Sequence, residues 1–98
     1  MSNSYQIYLI SDSTGETLDR IFLALKAQFR DFDYDTNHFS FTRTENQIKK
    51  IFEKINKKKK IIILYTIVDS KLSDFLIVES EKKNIPCFGV LGDLIQSF

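Results

Sequence analysis

Five consecutive apolar residues, Ile61-Ile62-Ile63-Leu64-Tyr65, constrain this chain more than any other feature. A run this short and this apolar offers no polar face to water. It therefore belongs to a strand buried on both sides, the environment of a central strand in a parallel sheet. Residues 5–10, Tyr-Gln-Ile-Tyr-Leu-Ile, have the same character. Parallel strands cannot be joined by tight hairpins; each connection needs a crossover of a dozen or more residues, usually a helix. The apolar period changes to suit. Leu18, Ile21, Phe22, Leu25 and Phe29 fall on one helical stripe that ends near Arg30. Ile48, Ile51, Phe52 and Ile55 make a second stripe, with Thr44 placed to cap it. Leu72, Phe75, Leu76 and Glu79 make a third.

Two further extended segments complete the pattern. Residues 34–41 are rich in aromatic and β-branched side chains but too polar for the centre of a sheet, which predicts an edge strand. Ile85-Pro86-Cys87-Phe88 predicts a short fourth strand with the proline at its start, and Leu91, Leu94 and Ile95 begin a last helix. The order is βαβαβαβ plus a terminal helix. Right-handed crossovers place helices on both faces of the sheet. With the polar second strand at the edge, the expected fold is an α/β, Rossmann-like three-layer sandwich whose four parallel strands run in the order 2-1-3-4.

Ninety-eight residues, 43% hydrophobic and 13% aromatic, suffice for one packed domain. A net charge of +1 gives no electrostatic pull toward nucleic acid or an anionic membrane. One cysteine and one histidine can form neither an internal disulfide nor a structural zinc site. No signal sequence and no apolar run near the length of a membrane span is visible, so a soluble cytoplasmic domain is expected. Asn56 followed by Lys57 to Lys60 is read as a solvated turn beside a helix C-terminus. The chain stops within the last helical pattern on Phe98, which reads as part of a longer chain.

In such a sheet ligands bind beyond the C-terminal ends of the strands, where the strand order reverses. Residues 11–17, Arg43 and Thr44, residues 66–70 and residues 89–93 reach that rim. Ser11-Asp12-Ser13-Thr14-Gly15-Glu16-Thr17 is its most distinctive stretch. Small hydroxyl residues and a glycine between a strand and a helix build anion sites, because free N–H groups and the positive dipole end point out of the loop. Ser13 and Glu16 also have the spacing of a capping box. The stretch resembles the flavodoxin phosphate loop, hydroxyl-x-Thr-Gly-x-Thr, with Asp12 in place of the first hydroxyl. A carboxylate there repels a phosphate dianion, and the chain has no Trp to cover a flavin, so a flavodoxin-like phosphate or flavin binder is the lesser reading. No G-x-x-x-x-G-K-[ST] loop is present. His38 is expected at the surface and Cys87 in the core.

Ile10 to Thr17, Gln28-Phe29, Leu64-Tyr65-Thr66-Ile67-Val68-Asp69 and Ile85-Pro86-Cys87 together resemble the amino-terminal part of the bacterial and plant pyruvate, phosphate dikinase regulatory proteins, which include the phosphoenolpyruvate synthase regulatory proteins. The resemblance spans essentially the whole chain, and the Ser11–Thr17 heptad is its most specific part. It implies a bifunctional enzyme that phosphorylates a threonine of the dikinase or synthase with ADP, switching the target off. The same enzyme would reverse the modification with inorganic phosphate, releasing pyrophosphate. In this family the loop that binds ADP and phosphate lies in the carboxy-terminal part, beyond Phe98. These 98 residues alone are therefore expected to be inactive and to need no cofactor of their own. The residues expected to face the target or its phosphate are Ser11, Asp12, Ser13, Thr14, Gly15, Glu16, Thr17, Arg43, Thr66 and Asp69, with Asp12 as candidate proton acceptor. The competing expectation is a non-catalytic module that docks a catalytic domain or a second copy of itself through Leu94, Ile95 and Phe98.

Overall fold

A computed structural model of the chain describes residues 5–27, 33–55 and 60–90. Four strands, β1 (Tyr5–Ser11), β2 (Tyr34–Phe39), β3 (Lys60–Thr66) and β4 (Cys87–Gly89), alternate with three helices, α1 (Glu16–Lys26), α2 (Glu45–Glu53) and α3 (Ser70–Lys82). All pairings are parallel and the strand order is β2-β1-β3-β4, as the apolar pattern requires. Phe29, Lys57 to Lys59 and the expected last helix with Leu91, Leu94, Ile95 and Phe98 lie outside the described residues.

The register of β1 on β3 decides which side chains share a face. Ile7, Leu9 and Ser11 stand opposite Ile62, Leu64 and Thr66, while Tyr8 and Ile10 stand opposite Ile63 and Tyr65. On the first face α1 supplies Leu18 and Phe22 to a core with Ile7, Leu9 and Leu64. On the second, α2 and α3 supply Ile48, Ile51, Phe52, Leu72 and Leu76 to a core with Tyr8, Ile10, Ile61 and Ile63. Helices thus cover both faces, and the middles of both central strands, residues 7–10 and 61–65, are apolar because neither of their sides is left to water. At the edge, β2 leaves Asp35 and His38 exposed, while its Phe39 stacks on Tyr8 and its Tyr34 meets Phe22 edge-on.

Helix ends follow local chemistry. Thr44 caps α2 with a full capping box: its hydroxyl accepts from the Gln47 N–H at 3.1 Å, and the Gln47 side chain accepts from the Thr44 N–H at 3.0 Å. Asp69 caps α3 by accepting from Lys71 and Leu72 N–H. That helix closes at Asn84, φ 57°, where the Asn84 N–H reaches the Glu81 carbonyl and the Ile85 N–H the Ser80 carbonyl. This is a Schellman turn, followed by the Pro86 that forbids further helix. Beyond Pro86, β4 runs to Gly89, one residue further than the apolar pattern predicts. A Cβ there would stand 2.7 Å from the Tyr65 phenol oxygen, so a larger residue would push the end of that ring aside.

Two expectations concern stability. Ile63 is fully buried, and Ile63→Ala is expected to cost about 2–5 kcal/mol in denaturant unfolding. Burial raises the Cys87 thiol above its ordinary 9.0 and the Tyr8 and Tyr65 phenols above 10.0. The folded state thus prefers these groups neutral. The stability they contribute is intact below their unfolded values and is lost as pH rises through the folded ones. The urea midpoint should hold from neutrality to the ordinary thiol value and fall beyond it, with a later onset in Cys87→Ala; identical onsets in both chains would contradict this.

Candidate functional site

Three connections meet at the C-terminal ends of β1, β2 and β3, and a hydroxyl network ties them together. Ser11 and Thr66 are register neighbours at the ends of the two central strands, both buried. The Thr66 hydroxyl donates to Ser11 Oγ at 3.1 Å, and the same oxygen accepts the Ser13 N–H at 3.1 Å. The Ser13 hydroxyl lies 3.3 Å from it. Ser11 is therefore committed to holding the loop on β3. No buried side-chain nitrogen or oxygen among the described residues lacks a partner.

Asp12 links all three connections. Its N–H donates to the Thr66 carbonyl, its Oδ2 accepts from the Val68 N–H at 3.0 Å, and its own carbonyl accepts from Arg43 Nε at 2.9 Å. A carboxylate that would repel a phosphate is thus bound to the β3–α3 connection. Thr14 accepts the Glu16 N–H on its hydroxyl at 3.4 Å and the Ser40 hydroxyl on its carbonyl at 3.0 Å.

The capping box expected of Ser13 and Glu16 does not form. Gly15, at φ 88° and ψ 3°, is the N-cap of α1, and no side chain caps it. The left-handed glycine turns the chain into the helix at once, so α1 starts at Glu16 and Ser13 stands two residues too early to cap it. The exposed Glu16 and Thr17 form its first turn, with Glu16 and Asp19 complementing the dipole. Asp19 Oδ1 also meets His38 Nε2 at 2.9 Å, both side chains at the surface.

The segment between β2 and α2 carries what the sequence reading missed. The predicted strand over 34–41 ends at Phe39, because Phe41 adopts φ 55°. For a bulky residue this conformation costs about 1–3 kcal/mol and persists only where the surroundings impose it. They do. The Phe41 N–H donates to the Ser13 carbonyl at 2.9 Å and the Thr42 N–H to the Ser11 carbonyl at 2.8 Å. The Thr42 hydroxyl bonds back to the Phe39 carbonyl. Gln47 then clamps the segment: its Nε2 donates to the Phe41 carbonyl, and its Oε1 accepts from both Arg43 and Thr44 N–H. Only the Thr44–Gln47 part had a readable signal.

The rim thus brings Ser11, Asp12, Ser13, Thr66 and Arg43 into one hydrogen-bonded unit, with Thr14, Gly15, Glu16 and Thr17 at the adjoining helix start. Asp69 is occupied as the α3 cap. Among the described residues Arg43 is the one cationic side chain hydrogen-bonded into this network, which also holds the Asp12 carboxylate. Among the described residues no cluster suited to a metal ion occurs, and no helix is long and apolar enough to cross a membrane. A cleft lined by Tyr5, Phe52, Lys60, Ile85 and Pro86 among others opens at the opposite ends of the strands, remote from this network.

Replacing Gly15 tests the left-handed cap. Gly15→Ala is expected to cost about 1–2 kcal/mol in urea unfolding, since the new methyl gains no contact closer than 3.4 Å to offset the backbone term. Gly15→Asn should lose less.

Comparison with known proteins bears on the identity of the chain. The family described as Kinase/pyrophosphorylase matches residues 7–98. A provisionally named pyruvate, phosphate dikinase regulatory protein of Pelagibacter ubique is 61% identical over 98 residues, all of this chain and 36% of the relative. Similarly named proteins of Alkaliphilus oremlandii and Agrobacterium fabrum are 37% and 36% identical, over 93% and 96% of this chain and 32% and 34% of their own lengths. The chain therefore spans about a third of the length of these relatives, and with a match across all but its first six residues it belongs to the kinase/pyrophosphorylase family.

Proposed function

We propose that this chain is the amino-terminal, target-facing part of a cytoplasmic regulator that acts on pyruvate, phosphate dikinase, with phosphoenolpyruvate synthase the alternative target. The whole protein would phosphorylate a target threonine with ADP and remove the phosphate with inorganic phosphate. One observation carries the division of labour: among the described residues the rim is ordered by its own hydrogen bonds, and the one cationic side chain bonded into them, Arg43, spends its Nε on the Asp12 carbonyl. Phosphoryl transfer depends on positioning and on neutralising charge over the moving phosphoryl group. Such a rim can position a hydroxyl or a loop, but the neutralising groups and the binding site for ADP and phosphate must come from elsewhere in a longer chain. These 98 residues contain no Walker-type phosphate loop.

Within this reading the hydroxyls of Ser13, Thr14 and Thr17 and the positive dipole end of α1 face the target. Asp12 organises the rim, since its carboxylate already accepts the Val68 N–H. That assignment differs measurably from a proton acceptor. Asn keeps an acceptor oxygen for Val68 but cannot take a proton, and loss of a general base costs about 10²–10⁴-fold in rate.

The test uses a chimera in which this chain replaces the aligned third of the Pelagibacter ubique relative. The chimera should modify the dikinase with ADP and reverse the modification with phosphate, whereas the isolated chain does neither. Asp12→Asn should retain the rate within a few-fold, and Asp12→Ala should lower the melting temperature. Turnover by the isolated chain, or a hundredfold loss in Asp12→Asn, would refute the corresponding part of the proposal.

A further inference from the structure

Phe41 is costly for this protein in two ways at once. Its ring is half exposed, and its backbone sits at φ 55°, where glycine or asparagine would be at ease. Glycine there could make the same main-chain bonds to Ser13 and Gln47, so the fold does not require the ring. The Arg43 guanidinium lies over that ring, 5.3 Å from its centroid, while Nε is tied to the Asp12 carbonyl. Among the described residues the two terminal nitrogens of Arg43 have no hydrogen-bond acceptor. On the other side of Asp12, Val68 is also exposed, at 72%. An exposed aromatic ring thus carries a tethered guanidinium whose outer donors are unused, with exposed Val68 on the connection that Asp12 also holds. Aromatic and Arg side chains held rigid in this manner are the usual anchors of protein interfaces.

We infer that Phe41 and Arg43 form a docking anchor for the target protein, with Val68 extending its apolar area. The occupant is a segment of the target that lays an apolar side chain on the Phe41 ring and offers a carboxylate to the Arg43 fork. A singly charged carboxylate fits better than a phosphate dianion, because the Asp12 carboxylate on the same connection repels a dianion twice as strongly as a monoanion. The inference rests on the reading of this chain as part of a dikinase regulator, and it assigns the contact that holds the target rather than the chemistry done on it.

The experiment measures the affinity of the chimera for the dikinase, in phosphorylated and unphosphorylated forms, alongside melting temperature. Phe41→Gly should weaken binding roughly tenfold or more while leaving the melting temperature unchanged or raised, since it relieves the backbone strain. Arg43→Gln should weaken binding of both target forms alike. Leu23→Ser, at an exposed apolar position on α1, should change nothing. A clear fall in melting temperature for Phe41→Gly would make the ring structural and overturn the inference. So would an Arg43→Gln effect confined to the phosphorylated target, or equal weakening in Leu23→Ser. An unsubstituted chimera that modifies and binds the dikinase, with Phe41→Gly and Arg43→Gln binding as well, overturns the anchor alone. An unsubstituted chimera that does not bind overturns the anchor and the regulatory reading together.

Discussion

Everything at the rim depends on the parallel pairing of β1 with β3, which ends on two hydroxyls instead of two apolar side chains. Up to Ile10 and Tyr65 the paired strands need nothing but burial. At Ser11 and Thr66 the same register sets two buried oxygens side by side, and a buried hydroxyl must find a partner. Each satisfies the other, and the remaining capacity of Ser11 fastens the backbone of Ser13. The loop is therefore an extension of the sheet by polar means. Its position is inherited from the core, whose packing tolerates little displacement.

That inheritance spreads sideways. Asp12 joins the β1 loop to the β3 connection through its carboxylate and to the β2 connection through its carbonyl. The β2 connection returns the link through the carbonyls of Ser11 and Ser13. Three segments far apart in sequence share one set of hydrogen bonds, made mostly with main-chain groups. Not every group at the rim is buried by these bonds, however. Ser13, Thr14, Thr17 and Arg43 are exposed.

Much of the architecture was legible because it follows from burial. Two apolar runs require central parallel strands, a polar run requires an edge, and the helical stripes between them require crossovers on both faces. Thr44 was also readable as a helix start, since a cap is a local event; Asp69, expected only to face the target, turned out to be another. The rim was legible as a place but not as an arrangement. Ser13 and Glu16 have the spacing of a capping box, yet Gly15 takes the cap through a backbone angle that no spacing reveals. Phe41 looks like the end of a strand because phenylalanine favours strands; its positive φ comes from Ser13, Ser11 and Gln47, contacts that exist only after folding. Local preference lost there to long-range hydrogen bonding.

Gln47 has a consequence for how this chain can vary. Connections between strands and helices are ordinarily the places where a protein gains or loses residues without harm. Here one amide on the first turn of α2 grips Phe41, Arg43 and Thr44, and the same segment grips the end of β1. A single inserted residue between Phe39 and Gln47 would put every one of these partners out of phase. The connection is exposed like a loop but is fixed in length like a strand.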